Sequence, residues 1–373
     1  MHKGTIIYIG NFELPDKNAA AHRVMNNGKI FKDIGYRVVY LGTVRDENFD
    51  GIRVSSYDKD IYEEAYPIGT KKWINHIFDT SNLQKVIELY DDVCMVIVYN
   101  VPYANFKAVK KLCSAKNIKV AYDCTEWNSF AEGSLPKRLY KKLDEYQVRN
   151  KLGKKCRDII VISSCMANKY KNANLLKLPP LVDTNDSIWH QQRENSDGKF
   201  VFCFAGTISN KEKIQNVVSA FCKIADDNIC FRIIGMTKED YLSSFPEHKA
   251  MLENETRIDF MGRLSHTETV RNVLSSNCYI FVRESTRRNE AGFPTKFAEA
   301  FTCGVPIIST DVSDIKEFAD NRVVLLNDTD ESSIARAIND AVSNSCKENH
   351  ISKTFDYRTY VSNAESWLQK VFE

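Results

Sequence analysis

Residues Thr5–Gly42 read TIIYIGNFELPDKNAAAHRVMNNGKIFKDIGYRVVYLG, and their order of patterns decides the fold class. Thr5–Gly10 is a short apolar, β-branched run that closes on glycine. Ala19–Ile34 then carries Val24, Ile30, Phe31 and Ile34 at helical spacing, and Gly35 stops it. Arg37–Gly42 is a second strand. Strand, loop, helix and strand in about 40 residues make a βαβ unit, which requires a parallel sheet.

The pattern continues outward. Val93–Tyr99 reads as a strand, Ala104–Lys116 as a helix, and Lys119–Tyr122 and Asp158–Ile162 as strands. Asp183–Lys199 (DTNDSIWHQQRENSDGK) is polar and poor in aliphatics. After it the pattern restarts with strands at Phe200–Ala205, Cys230–Gly235, Ile258–Met261, Cys278–Val282 and Val305–Ser309, and helices at Lys213–Ala225, Thr267–Ser275 and near Lys296–Thr302. Apolar strands flanked by helices indicate sheets covered on both faces. The expected fold is α/β, with two Rossmann-like, doubly wound domains facing a cleft. The boundaries are 1–183 for the first domain, 184–199 for a linker, 200–355 for the second domain and 356–373 for a last helix. That helix carries Tyr360, Ala364, Trp367, Leu368 and Val371 on one side. Periodicity leaves open whether it crosses back onto the first domain.

The chain has 373 residues, too many for one core of the usual size. Hydrophobic residues are 43% and charged residues 27%, as in soluble globular proteins. The net charge of +2 gives no global field for nucleic acid. Eleven cysteines are scattered with no CxxC pair, which fits reduced, buried thiols and a cytoplasmic location. No run of about 18 apolar residues predicts a spanning helix, and the first residues lack a signal-peptide core.

Open α/β sheets bind ligands outside the carboxyl ends of their strands, so the candidates follow strands. After the first strand come Asn18, Ala19, His22 and Arg23, without a GxGxxG dinucleotide fingerprint. Each is either a ligand contact or part of an ordinary helix start. Asp123, Glu126 and Trp127 follow the strand Lys119–Tyr122. Two acids and an indole suit a sugar, but equally a helix cap beside a core tryptophan. Gly206, Thr207, Lys211 and Lys213 follow the strand Phe200–Ala205 and precede a helix, an arrangement that favours an anion. The loop after Cys278–Val282 holds Arg283, Glu290, Gly292, Phe293, Pro294 and Thr295, then Lys296 and Glu299 one turn apart. Gly292 and Thr295 can present N–H groups there, Lys296 adds positive charge, and Glu299 can accept from two ribose hydroxyls. A plain helix ion pair between Lys296 and Glu299 accounts for neither the Gly-Phe-Pro opening nor the charges from Arg283 to Glu290.

The segment GFPTKFAEAFTCGVPII, beginning at Gly292, resembles the motif EGFGxxxxEAxxxGxPV of retaining glycosyltransferases of the GT-B fold, in family four (glycosyl transferases group one). Gly292, Phe293, Glu299, Ala300, Gly304, Pro306 and Ile307 match it. GTISNKEKIQNVVSAF, VISSCMANKY followed by LPPLVD, and VAYDCTEW are similar to further family segments. Ala291 stands where the motif has its first glutamate, with Glu290 one residue earlier, and Pro-Thr-Lys replaces the usual loop. That variant resembles a capsule and O-antigen type subgroup.

The resemblance implies transfer of a sugar, of hexosyl type, from a nucleotide-diphosphate sugar with retention of configuration. Gly206, Lys211 and Lys296 would hold the diphosphate, Glu299 the ribose and Glu290 the transferred sugar. Glu290, Lys296, Glu126 and Asp123 are the candidate catalytic residues. Thr207, Lys213, Arg283, Gly292, Phe293, Pro294 and Thr295 complete the donor side, and Asn18, Ala19, His22, Arg23 and Trp127 would form the acceptor side. No cofactor or metal is expected; the donor, UDP- or GDP-linked, is a substrate.

Pro136–Arg157 carries nine basic residues against Asp144 and Glu145. Leu139, Leu143, Tyr146 and Leu152 can form an apolar stripe there, which reads either as contact with an anionic membrane or as the solvated face of a packed helix. With the family resemblance it suggests a lipid-linked glycan acceptor, surface polysaccharide synthesis and work at the inner face of the membrane. The competing expectations are a nucleotide-sugar 2-epimerase of the same fold and a non-catalytic sugar-binding relative.

Overall fold

The computed structural model describes residues 2–45, 49, 51–66, 69, 77–127, 135–193, 198–209, 211–344 and 350–373. They form two compact units: Met1–Val182 with Tyr357–Glu373, and Asp183–Asp356.

The first unit is built on β1 (Thr5–Gly10), β2 (Arg37–Val44), β3 (Ile52–Val54), β4 (Ile61–Ala65), β5 (Val93–Tyr99), β6 (Lys119–Cys124), β7 (Asp158–Val161) and β8 (Asn174–Lys177). Their order in the sheet is β3-β4-β2-β1-β5-β6-β7-β8. All neighbours are parallel except β3 and β4. In β1, Ile6, Ile7 and Tyr8 are fully buried, because both faces of a parallel sheet are covered. Helix Ala19–Ile34 starts where Asn18 accepts from the Ala21 N–H at 2.8 Å. It ends at Gly35, whose φ of 106° is a left-handed conformation that favours glycine.

The C-terminal residues belong to this unit. A 3₁₀ turn, Tyr357–Tyr360, leads into helix Val361–Phe372. Trp367 packs against Phe31 with ring centres 6.4 Å apart and donates from its indole N–H to the Asn174 carbonyl at 3.0 Å. Ala364, Trp367, Leu368 and Val371 are thereby buried in the core formed by Ile6, Val24 and Phe31.

The second unit contains β9 (Phe200–Ala205), β10 (Ile229–Ile234), β11 (Ile258–Phe260), β12 (Cys278–Phe281), β13 (Ile307–Thr310) and β14 (Val323–Leu326), in the order β11-β10-β9-β12-β13-β14 and parallel throughout. Phe293, Phe297, Phe301, Phe318 and Phe355 form one aromatic cluster beside this sheet.

The stretch expected as a linker is partly folded onto this unit. Ser187–His190 makes a 3₁₀ turn, and Trp189 is buried with its ring edge-on to His266. Gln191 donates to the Thr267 carbonyl at 3.1 Å. One tryptophan outweighs the polar residues around it, because burying an indole gains more than a solvated loop does. Residues 194–197 of that stretch lie outside the described residues. Among the described residues, no helix is long and apolar enough to cross a membrane, and the ten described cysteines are in no disulfide.

Candidate anion site of the second unit

In the second sheet the chain runs from β9 outward to β10 and β11, then returns to β12 on the other side of β9. That reversal makes a switch point between β9 and β12, where open α/β sheets leave a crevice at their carboxyl ends. The loops after β9 and after β12 meet there. An antiparallel bridge pairs Glu212 with Arg283, and the Lys213 N–H donates to the Val282 carbonyl at 2.9 Å.

A charged cluster lies at this point. Glu212 Oε1 accepts from Arg283 Nε at 3.1 Å and from its Nη2, and lies 3.0 Å from Lys296 Nζ. Ser209 Oγ donates to the other carboxylate oxygen. The three charged side chains are only 6% (Glu212), 10% (Arg283) and 13% (Lys296) exposed. Burial would raise the Glu212 carboxyl, but Lys296, Arg283 and the Ser209 hydroxyl bring it down to about 2. Burial also lowers the Lys296 ammonium to about 8, with Glu212 opposing that fall and Arg283 adding to it. At neutral pH the cluster therefore holds two cations and one anion.

The lysine lies over an aromatic floor, with Nζ 4.5 Å from the Phe204 ring centre. A Cβ on Gly206 would lie 2.4 Å from that Nζ, so the glycine after β9 makes room for the cation. Lys296 is the second residue of helix Thr295–Thr302, whose N-cap is Pro294. No side chain caps this helix, and no acid sits in its first turn. The N–H groups of Thr295 and Lys296 and the positive dipole end add to the two cations. Glu299 lies one turn further on, a third exposed, with Oε1 3.6 Å from His266 Nε2.

The sequence-derived donor residues thus divide. Gly206, Arg283, Thr295, Lys296 and Glu299 are brought together, and Thr207 follows Gly206 directly. Three expectations need correction. The Gly292 N–H is spent on the Arg288 carbonyl at 3.1 Å, because Arg287–Ala291 forms a short helix where the sequence suggests a loop. Phe293 is buried against Phe297, Phe318 and Phe355, so its ring is core. Lys213 pairs with Glu284 at 2.9 Å at the rim, apart from the buried cluster. Lys211 is half-buried, and its carbonyl accepts from Asn289 at 3.4 Å. Glu290 is held by Ser285 Oγ at 2.7 Å and by the Ser313 N–H at 3.0 Å.

In the first unit, Asp123 is wholly buried and its carboxylate is saturated. It accepts from Arg23 Nη2 at 2.8 Å, from Asn27 at 3.2 Å and from the Tyr8 hydroxyl. Arg23 also donates to the Leu178 carbonyl at 2.9 Å. Expected as contacts with substrate, this pair is instead a core ion pair. Trp127 is likewise buried, with its indole N–H 3.4 Å from the Tyr170 hydroxyl and Arg149 over its ring at 5.9 Å. Asn18 is used as the helix cap, Ala19 is exposed, and His22 and Glu126 are half-buried.

Glu212 and Ser209 were not anticipated. In the sequence Glu212 stands between Lys211 and Lys213, where an acid reads as a solvated partner of its neighbours. Only the approach of the β12 loop turns it inward. Among the described residues, no cluster of His, Cys, Asp and Glu could hold a metal ion.

Residues 185–355 match the family model of the glycosyl transferases group 1. No curated protein sequence matches the chain. Solved structures match over nearly the whole length. Sucrose-phosphate synthase from Thermosynechococcus elongatus is 12% identical, with 99% of each chain covered and a TM-score of 0.74. Anabaena HepE in complex with UDP is 12% identical, covering 98% of this chain and 100% of that one, with a TM-score of 0.69. A putative UDP-N-acetylglucosamine 2-epimerase from Listeria monocytogenes is 12% identical over 99% and 97% of the two chains, with a TM-score of 0.60. The likeness is one of fold: an α/β chain with two parallel-sheet domains, as in GT-B glycosyltransferases.

Proposed function

We propose that the protein is a glycosyltransferase that moves a sugar, of hexosyl type, from a nucleotide-diphosphate sugar to a glycan acceptor with retention of configuration. The observation that carries this reading is the pair of buried cations, Arg283 and Lys296, beside an uncapped helix start at the β9/β12 switch point. The match of residues 185–355 to a glycosyltransferase family model and the UDP bound to Anabaena HepE support it.

In this reading the donor diphosphate lies against Lys296, Gly206 and the Thr295 and Lys296 N–H groups. Glu299 accepts from the ribose and Glu290 from the transferred sugar, while Lys211 stands at the edge of the phosphate site. As the bond from the sugar C1 to the diphosphate oxygen breaks, negative charge grows on that oxygen. Preorganised cations and N–H groups lower the barrier by stabilising it. The acceptor hydroxyl forms the new bond on the same face, and its proton passes to the departing diphosphate. The donor is UDP- or GDP-linked, and the charge stabilisation comes from the protein without a metal.

We further propose a lipid-linked acceptor of surface polysaccharide synthesis, reached at the inner face of a membrane. Helix Leu135–Lys155 supports this reading. Leu135, Leu139, Leu143 and Tyr146 are 73%, 65%, 55% and 55% exposed, while Asp144 and Glu145 are buried. Leu152, expected in the same stripe, is buried. Exposed Lys137, Arg138 and Lys142 flank the leucines, so the outward face is apolar and basic, as in helices that lie on anionic lipid.

Calorimetry with a panel of UDP- and GDP-sugars, followed by turnover with a glycan acceptor, tests the reading. Binding and turnover of one donor with the anomeric configuration kept supports it; inversion removes the retaining assignment. Conversion of the donor at its C2 without acceptor favours the epimerase reading, which the similarity to the Listeria structure and the His266–Glu299 pair motivate. Binding of no nucleotide sugar removes both. Flotation with anionic liposomes tests the helix: failure to float, or flotation unchanged by Leu139→Glu with Leu143→Glu, removes the membrane contact.

A further inference from the structure

A carboxylate at the centre of an anion site needs a reason, because it cancels one of the two charges that attract the ligand. Glu212 takes up both cations: its Oε1 accepts from Arg283 and from Lys296 at 3.0 Å, and Ser209 fixes its other oxygen. Two cations sharing one buried volume repel, and a lysine in that position sheds its proton unless an anion holds it. Arginine keeps its charge under the same conditions. Lys296 is the member at risk.

We propose that Glu212 is a positioning residue: its buried carboxylate keeps Lys296 protonated and fixes the Lys296 ammonium and the Arg283 guanidinium as a two-cation clamp before a ligand arrives. The use of that clamp for a donor diphosphate rests on the glycosyltransferase reading; the charge and place of Lys296 do not.

Among the described residues, the surroundings of Lys296 offer no other anchor of equal strength. Arg283 comes from the loop after β12 and repels it. Glu299, on its own helix, is a weaker attraction and is directed to His266 at 3.6 Å. Phe204 supplies only a ring face, and the Gly206 position supplies room. Among the described residues, Glu212 combines burial, direct contact and a third partner, Ser209, that prevents it from turning away. With it in place, Lys296 titrates near pH 8. Without it, burial and Arg283 act unopposed by that carboxylate, so the lysine loses its proton at lower pH and is no longer tethered over Phe204.

Two measurements on the full chain decide the matter separately. The first needs no ligand: the acetylation rate of Lys296 is followed by mass spectrometry across pH 6–10. Glu212→Gln should move the midpoint down by about one pH unit or more, while Glu212→Asp, which keeps the charge, should stay nearer the wild type. A midpoint unmoved in Glu212→Gln overturns the proposal. The second measures binding of UDP and GDP from pH 6 to 9. Glu212→Gln should weaken binding about tenfold at pH 7.5 and recover at pH 6, and adding Lys296→Arg should restore affinity and flatten the pH dependence. A uniform loss at every pH means a merely structural role and also overturns it. A shifted Lys296 midpoint in a protein that binds neither nucleotide upholds the positioning role and removes the proposed donor site instead.

Discussion

Arg23 Nη2 donates to Asp123 Oδ1 at 2.8 Å, joining residues 100 apart in sequence, and neither side chain exceeds 5% exposure. The pair ties helix Ala19–Ile34 to the end of β6, and the Tyr8 hydroxyl from β1 completes it. A strand-end acid of this kind has the look of a substrate contact, yet every lone pair that matters here is taken by the protein.

Arg23→Ala should therefore act on stability. It leaves a buried carboxylate without its counter-ion, a loss of about 3–5 kcal/mol. Urea unfolding should show the loss in full. The double replacement Arg23→Met with Asp123→Leu should recover much of it, since no charge is then left buried. A single variant with wild-type stability and lost donor turnover would return the pair to the active site.

Gly206→Ala separates packing from function in the second unit. The added methyl meets the Lys296 ammonium and the edge of the Phe204 ring, so the side chain must shift from Glu212, and the fold should lose about 1–3 kcal/mol. The displaced ammonium should nonetheless weaken UDP or GDP binding by about tenfold, equivalent to ~1.4 kcal/mol. Unchanged affinity by calorimetry would show that Lys296 does not contact the ligand where its present position implies.

Asp144 gives a pH signature. Burial raises its carboxyl to about 6, opposed by the Tyr103 N–H it accepts from at 2.8 Å. The folded state therefore holds a proton that the unfolded chain releases above its lower carboxyl pKa. The associated stability is fully present below about pH 4 and is lost as pH rises through about 6. Asp144→Asn keeps the acceptor for Tyr103 and cannot ionise. It should be more stable than wild type by about 2–3 kcal/mol at pH 7.5, with the difference closing towards pH 4. A gap that is constant with pH would assign the effect to packing.

Trp367→Ala tests the placement of the last helix. Removing this buried indole should cost about 3–5 kcal/mol, read as a shift of the first unit's unfolding transition with that of the second unit unmoved. A shift confined to the second unit would place the helix elsewhere.

The strands of both sheet centres were legible, because a strand covered on both faces is a continuous apolar run. β3 and β4 were not: IRV, at the sheet edge, is three residues long, and IYEEA beside it carries two half-buried glutamates that break the apolar run. β8 and β14 are the outermost strands of their sheets and only partly buried, so neither is framed as a strand covered on both faces. In helix Leu135–Lys155 the expected stripe holds for Leu139, Leu143 and Tyr146 but not for Leu152, because periodicity gives faces but not which face turns inward. Asp144 and Glu145 went in, and three of the four stripe residues stayed out.

By itself, the sequence determined what lies within one element or its immediate neighbours: the βαβ order, the glycines after β9 and before the last strands, and the Lys296 and Glu299 spacing on a single helix. The tertiary structure decided which charges meet. Asp123 and Trp127 look functional in one dimension and are core in three, while Glu212 looks like a surface acid and is the centre of the cation cluster. The physical reason is range. Periodicity and capping are set over a few residues, but burial and ion pairing depend on loops brought together by strand order, and the β9/β12 reversal brings Glu212 to Arg283 across 71 residues.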